Sequence, residues 1–416
     1  MYFHCANHSL DLSLQEIVRE EDLMYEVFDF ARSCSNFIRN SGKRRQHFKD
    51  VSSELEHTEE GNDATSSTIH SLFPTRWVVR NRCLLSIQNN WKTLMQLFAE
   101  ISTDKATQRE IREKANGILK KLHSMKILLG IRIAIFLFAP CESLARQLQA
   151  KSTTPCSAVS GSNILLNFLK DKRSDSTFDE IYDAVLIQAE ELDIVEPIPG
   201  RQKRIPARYT NSETLNSAEG QFHTFRDKAR QHFYSVLDHL VVSISDRFDQ
   251  PGLSFAAEIE RFILNAANGE EIVWTEKLNA YPEIQLEELK RELPLFKSVI
   301  AQGQLMKVSK STNLHQVVEA FKNVPVTSRE LIPNTQNLLR MMLTLPVTTA
   351  TAERSFSGLR RLKTYLRSTM TQQRLSSIAI CNFHKERLPF IAMKELCGAF
   401  VANSSGPERR FTFGNF

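Results

Sequence analysis

Glycine is scarce in this sequence, with only 14 in 416 residues. A β architecture with many tight turns would need more of it, so the scarcity argues against that class. Long stretches are instead rich in Leu, Ile, Glu, Lys, Gln and Arg, which favour helices. We therefore expect a mainly α protein, and its length and 42% hydrophobic content allow two or three domains.

Cysteines are few as well, and they are odd in number and scattered. No signal peptide precedes them, so reduced thiols in the cytosol or nucleus are expected rather than a disulfide framework. The seven are Cys5, Cys34, Cys83, Cys141, Cys156, Cys381 and Cys397.

The sequence also lacks a long apolar run. Its most apolar stretch, 127–138, is short of the roughly 20 residues that span a bilayer and contains Arg132. It predicts a buried helix, and we expect neither a membrane partner nor a small-molecule substrate.

The net charge is +5, which permits a phosphate-rich partner without requiring one.

Apolar residues at intervals of three or four predict helices over much of the chain. One is expected at 82–101 and a longer one at 109–149, with a kink or break at Pro140. Residues 41–50 predict a basic turn. Connections are predicted near 151–162 and 196–217, the second containing a basic cluster, Arg201 to Arg208, that is a candidate for nuclear import or DNA contact. Further helices are expected at 225–248, 255–267, 284–297, 314–321 and 328–343.

The C-terminal stretch "LPVTTATAERSFSGLRRLKTYLRSTMTQQRLSSIAICNF", 345–383, places Glu353 among small residues, before a basic run and an apolar helix. In this order, the Leu-Pro pair, the small residues, Glu-Arg-Ser-Phe-Ser, the basic run and the helix resemble the C-terminal dimerisation region of hAT-superfamily transposases. An ordered set over about forty residues is more specific than a short motif.

Two earlier pieces resemble the same family in the same order. "HCANHSLDL" contains its Cys-x-x-His element as Cys5 and His8, and "FPTRW" contains its Arg-Trp element as Arg76 and Trp77. "RIPARY" and "DRFDQPGL" are similar to domesticated relatives of the zinc-finger MYM-type and protein-kinase-inhibitor-repressor-like kind. The resemblance therefore extends over nearly the whole chain.

The resemblance implies a mainly α chain with a partial ribonuclease-H-like α/β core interrupted by a large helical insertion domain. Four segments follow: a residual ribonuclease-H-like segment at 1–80, the insertion at 81–325, the dimerisation region at 326–395 and a tail at 396–416. It also implies DNA strand transfer by three carboxylates and two divalent cations, with Glu353 as the third carboxylate.

In the family the first two catalytic aspartates precede the Cys-x-x-His element, so we expect an N-terminally truncated relative that lacks them. Asp11, Glu16 and Asp22 follow helical spacing and are poor substitutes. Two hard cations need several carboxylate oxygens, so Glu353 is expected to be inactive alone. No cofactor or metal is expected, with Mg or Mn relevant only if the aspartates are supplied.

Each motif also has a structural interpretation. Glu353 could complement a helix dipole in a first turn. Trp77, beside Arg76, could stack on a flipped base or anchor the core. Cys5 is expected to be a packed thiol and His8 a hydrogen-bonded imidazole, rather than zinc ligands. The basic run could contact DNA phosphate or be a solvated helix face; it comprises Arg360, Arg361, Lys363 and Arg367.

An apolar stripe follows the basic run: Leu375, Ile378, Ala379 and Phe383, with Leu388 beyond. Such a stripe must be covered, either in cis or by another subunit, and the resemblance implies a second copy. Replacing Leu375 and Ile378 with Asp is expected to dissociate the assembly.

These observations favour a non-catalytic, nuclear, hAT transposase-derived protein that self-associates, with DNA as a candidate second partner. One alternative is a fragment of an active transposase whose aspartates lie upstream. Another is a helical scaffold without nucleic-acid contact.

Overall fold

The computed structural model describes residues 4–58, 68–72, 80–150, 152–197, 224–304, 310–345, 347–364 and 369–402. Within these ranges every regular element is a helix, which confirms the expectation of a mainly α protein. The partial ribonuclease-H-like α/β core is not supported, because that core is built on a sheet and the described residues contain no strand.

The chain divides into two compact units, Met1–Thr348 and Thr349–Phe416. The division into four segments made from the sequence stays a prediction. The described α-helices of the first unit are α1 (Ala6–Glu20), α2 (Asp22–Arg39), α3 (Gly42–Thr58), α4 (Arg80–Asn89), α5 (Trp91–Thr103), α6 (Arg109–Leu122), α7 (Met125–Leu148), α8 (Pro155–Asp171), α9 (Asp175–Glu191), α10 (Phe225–Phe248), α11 (Pro251–Asn268), α12 (Leu286–Gly303), α13 (Leu314–Asn323), α14 (Val326–Arg329) and α15 (Pro333–Thr344).

The first unit contains two hydrophobic cores. The larger joins apolar side chains of α1 to α10, and the smaller joins those of α11 to α15. Helix α11 contributes to both, since Leu253 belongs to the first core and Phe255 to the second.

Helix α7 is the central element of the larger core, as the apolar run predicted. It contacts α1, α2, α4, α6, α8, α9 and α10. Gly130 permits the approach to α2, since a Cβ there would lie 2.5 Å from Val27 Cγ2. Among the described residues α7 alone is long and apolar enough to cross a membrane, and 67% of its most apolar window is buried in the protein.

Several predicted boundaries were wrong. The helix expected at 82–101 is broken at Asn90, whose amide donates to the Ser86 carbonyl at 2.7 Å. The helix expected at 109–149 is two helices, α6 and α7, that meet at 123–124. Helix α7 continues through Pro140. The basic turn at 41–50 is the start of α3.

The connection predicted at 151–162 is also mostly helix, because α8 begins at Pro155. Thr154 and Ser157 form a reciprocal cap, each side chain accepting the other's amide, and proline suits the first helical position. A third acceptor comes from α11: Glu260, only 1% exposed, accepts the Cys156 amide at 2.7 Å.

A second buried glutamate caps α15 in the same way. Glu292 of α12 is 7% exposed, and its carboxylate accepts the Asn334 and Thr335 amides at 3.0 and 2.7 Å. It also accepts the Asn334 side-chain amide and the Thr335 hydroxyl, both at 2.9 Å. Ile332, which precedes α15, offers no capping side chain, so Glu292 satisfies the amides that a helix start leaves open.

The second unit begins with α16 (Ala350–Leu362) and α17 (Gln372–Phe383), which pack on each other. Thr371 caps α17 by accepting the Arg374 amide. A 3₁₀ helix (Lys385–Phe390) and α18 (Met393–Ala402) follow.

Candidate association surface and catalytic position

Glu353 lies in the first turn of α16, and its side chain is exposed. The Thr349 hydroxyl donates to its carboxylate at 2.9 Å, and its amide donates to the Thr349 carbonyl at 2.9 Å. A carboxylate here complements the positive end of the helix dipole. This geometry fits the structural interpretation of Glu353.

A two-metal centre does not fit this position. Within the described ranges, the one group of at least three His, Cys, Asp or Glu side chains close enough to share a metal ion is Glu16, Glu20 and His239. Glu353 is not a member, so its surroundings in those ranges do not provide the several carboxylate oxygens that two hard cations need. We therefore derive no metal-dependent step at Glu353.

The group of Glu16, Glu20 and His239 joins α1 to α10 through hydrogen bonds and ion pairs. Arg247 and Ser243 donate to the Glu16 carboxylate at 2.7 and 2.9 Å. The hydrogen bond from Arg247, followed by that from Ser243, holds the pKa of Glu16 below its ordinary value. Arg247 thus neutralises the negative charge of Glu16 that would otherwise attract a cation to this place.

Three of the six residues proposed to contact DNA are exposed at the end of α16: Arg360, Arg361 and Lys363. Cations near a helix C-terminus interact favourably with the dipole, which is a structural reason for their place. The other three, Arg76, Trp77 and Arg367, lie outside the described residues.

Cys5 and His8 lie at the start of α1, where Cys5 is half-buried and His8 is exposed. The Cys5 carbonyl accepts the Ser9 amide at 2.9 Å, and the next residue, Ala6, donates its amide to the Val347 carbonyl at 3.0 Å. The element therefore lies where the first unit's last residues return to its first helix.

The predicted apolar stripe of α17 is largely covered within the protein. Leu375 is buried, and Ile378, Ala379 and Phe383 are half-buried. The Phe383 ring lies against Gly358 of α16 so closely that a Cβ at residue 358 would overlap it. The glycine thus allows the two helices to meet, and the Phe383 ring is partly covered by α16 of the same chain.

Other large apolar side chains of the second unit are exposed, and the sequence analysis missed most of them. Phe356 of α16 is 70% exposed and Phe390 is 89% exposed. On α18, exposed residues at i, i+3 and i+7 form one face, a period that could have been recognised from the sequence. We call this set the apolar surface: Phe356, Ile380, Leu388, Phe390, Ile391, Met393, Leu396 and Phe400.

The geometry thus describes a helical protein whose smaller, C-terminal unit exposes apolar side chains of the kind that other proteins bury in interfaces. Comparison with known families agrees. Residues 307–386 match the family model described as the hAT family C-terminal dimerisation region. This part of the chain is therefore similar to that family, as the motifs predicted.

A curated relative from Mus musculus, the "52 kDa repressor of the inhibitor of the protein kinase", is similar to part of the chain. It is 23% identical over 199 residues, which are 47% of this chain and 24% of the relative. The match therefore spans about a quarter of that protein's length. No solved structure matches the chain.

Proposed function

We propose that this chain is a non-catalytic, hAT transposase-derived protein that acts in the nucleus, associates with itself through its C-terminal unit and contacts DNA. The dimerisation-region match at 307–386 carries the proposal. It is supported by the exposed apolar surface, which lies in the second unit and includes residues on either side of the match's end.

Association through this surface has a simple physical reason. Exposed aromatic and aliphatic side chains gain about 25 cal/mol for each Å² of apolar area removed from water. Phe356 and Ile380 lie inside the family match and are exposed, whereas Leu375 is buried. The contacts between copies are therefore assigned to the exposed residues, with Ile378, Ala379 and Phe383 in supporting positions.

The non-catalytic part of the proposal is supported by the donor set. Glu353 is exposed, accepts a hydrogen bond from Thr349 and belongs to no metal-sized group within the described ranges. The DNA part is supported by the exposed cations at the end of α16 and by the family likeness. The nuclear part of the proposal is supported by the same likeness and by the basic cluster at 201–208. We propose no cofactor, and Mg or Mn would matter only beside further carboxylates.

Self-association is tested by light scattering on the purified chain over a range of concentrations. We expect dimers or larger oligomers, and monomers for the variant Phe356→Asp with Ile380→Asp, because burying two carboxylates in an apolar interface is costly. The matched control is Val195→Asp with Val273→Asp, at exposed positions of the first unit. A wild type that stays monomeric, or a double variant that assembles equally well with unchanged helicity, contradicts the proposal.

Catalysis is tested by incubating the purified chain with DNA and Mg²⁺ or Mn²⁺. We expect no strand cleavage above background. Cation-dependent cleavage that is lost in Glu353→Gln would contradict the non-catalytic proposal and favour the transposase alternative.

A further inference from the structure

A strongly basic stretch lies where α2 ends and α3 begins. Between 39 and 49 five residues are Arg or Lys and none is Asp or Glu: Arg39, Lys43, Arg44, Arg45 and Lys49. Four of the five lie on α3, and the side chains of Lys43, Arg45 and Lys49 are exposed. A helix presents these charges at a fixed spacing, unlike the turn that the sequence predicted.

Contacts place this part of α3 against α2 and α5. His47 forms a hydrogen bond with Glu100 of α5 at 2.7 Å. The Arg44 guanidinium lies over the Phe37 ring of α2, 4.2 Å from its centroid. The pKa of Asp104, at the end of α5, is lowered mainly by a hydrogen bond from Thr107 and further by Lys43 and Arg112.

A cavity of about 520 Å³ opens between α2, α3 and α6. Its polar lining residues are Ser33, Asn36, Asn40, Arg44, Lys114 and Lys121, and three of the six are cationic. Amide, guanidinium and ammonium groups are the usual donors to phosphate oxygens. The composition of the cavity therefore suits an anion.

Arg44, which lines this cavity, has no ion pair in the described part of the chain. Its Nε is buried without a hydrogen-bond partner, and no carboxylate pairs with it among the described residues. Two neighbouring cations are paired, Lys114 with Glu110 at 2.6 Å and Lys121 with Asp29 at 3.3 Å. Arg44 thus provides the unbalanced positive charge of the cavity.

A second cavity, of about 340 Å³, lies on the other side of α3 and is lined by Arg39, Arg45 and Lys49. Cations on both sides of one helix suit a ligand with several phosphates. The ring at each cavity, Phe37 or Phe48, is buried. No open ring is offered there to an unstacked base, which favours a duplex over a single strand.

We propose that these two cavities and the exposed cations of α3, together the basic groove, bind the phosphate backbone of duplex DNA. This inference rests on the DNA-contact part of the proposed function and gives it a place in the first unit. All of the residues concerned lie outside the family match at 307–386.

The first test uses variants of Gly117 of α6, which lines the first cavity. A Cβ there would meet nothing within 4 Å, so substitution is tolerated sterically. Gly117→Glu places a carboxylate in the cavity and is expected to weaken DNA binding. Gly117→Ala is the matched control, since it raises helix propensity without adding charge, and is expected to leave binding unchanged.

The second test replaces Lys43, Arg44 and Arg45 with Gln and measures affinity for a duplex oligonucleotide by fluorescence anisotropy at several salt concentrations. Each phosphate contact contributes about 0.9 to the slope of log K against log salt, so the slope should fall by about 2 to 3. Affinity at moderate salt should fall roughly 10- to 100-fold. The control replaces Lys310, Lys322 and Arg340, exposed cations of the smaller core's helices and the loop before α13, and should change neither quantity.

The outcomes separate this inference from the proposed function. If the wild type binds duplex DNA and the groove variants keep its affinity and salt slope, the basic groove is not the site. This conclusion does not depend on the effect of replacing Arg360, Arg361 and Lys363 with Gln. If the wild type binds no duplex at low salt, the inference falls together with the DNA part of the proposed function. A nucleoside triphosphate that binds with sensitivity to Gly117→Glu, while duplex DNA does not, would assign a small phosphate ligand instead and overturn the inference.

Discussion

Replacing Glu292 by Ala should be among the most destabilising single substitutions in the smaller core. Its carboxylate is the acceptor for two amides of the first turn of α15 and for the Asn334 and Thr335 side chains. Removing the carboxylate leaves four donors without this acceptor, and the site is buried, since Glu292 itself is only 7% exposed.

The expected loss of stability follows from the hydrogen bonds of this carboxylate. Hydrogen bonds to charged groups contribute about 1.5–3 kcal/mol each, and a buried donor left unpaired costs about 1–3 kcal/mol. The four share one carboxylate and are not additive, so we expect a loss of about 3–5 kcal/mol in the free energy of unfolding. Glu292→Gln keeps one oxygen and should lose about 1–2 kcal/mol.

The measurement is urea unfolding followed by circular dichroism at one fixed protein concentration, because self-association would otherwise change the apparent stability. The control is Glu287→Ala on the same helix, whose exposed ion pair with Lys290 at 2.8 Å should contribute little to stability. If Glu292→Ala unfolds at the same midpoint as this control, with an unchanged m-value, the capping role of Glu292 is refuted.

Two further predictions concern ionisation. The hydrogen bond from Arg247 lowers the folded-state pKa of Glu16, so the contribution of Glu16 to stability is full above pH 4.5 and is lost as pH falls through the folded pKa. The difference in unfolding free energy between wild type and Glu16→Gln should therefore shrink from pH 7 to pH 3, and a constant difference would contradict this. Burial raises the pKa of the Cys83 and Cys141 thiols to about 12, so mass spectrometry after a brief maleimide reaction at neutral pH should find exposed Cys381 labelled first; equal labelling of Cys141 in the folded protein would contradict the buried assignment.

Helix positions followed from the sequence where a local pattern was sufficient. The prediction of 225–248 agrees with α10 at both ends, because a regular apolar period is bounded by Thr224, which caps the helix, and by Pro251, which begins the next. Such signals are contained in neighbouring residues.

The start of α8 was missed for two reasons. Ser, Thr, Pro and Gly in 151–162 are typical of a connection, and that composition outweighed the Thr154-Pro155 capping signal. Glu260, which accepts the Cys156 amide, is also 104 residues away, and one sequence gives no sign of such a pairing.

The association surface shows the same limit. Periodicity correctly predicted an apolar face on α17, but it cannot say what covers that face. Gly358 allows Phe383 to pack on α16, so much of the predicted stripe is occupied in cis. The exposed residues beyond it, such as Phe390 and Phe400, fell partly in a segment taken as a tail.

The packing of α10 on α1 also sets an order for assembly during translation. Ser13 of α1 donates to the Ser243 carbonyl at 3.1 Å, and Arg247 pairs with Glu16, so one main partner of the first helix is encoded more than two hundred residues later. While the ribosome makes the intervening chain, Leu10, Leu14 and Ile17 lack the helix that helps to bury them. The nascent protein therefore has to hold an incomplete core until α10 emerges, and this is the interval in which chaperones would have the most to bind.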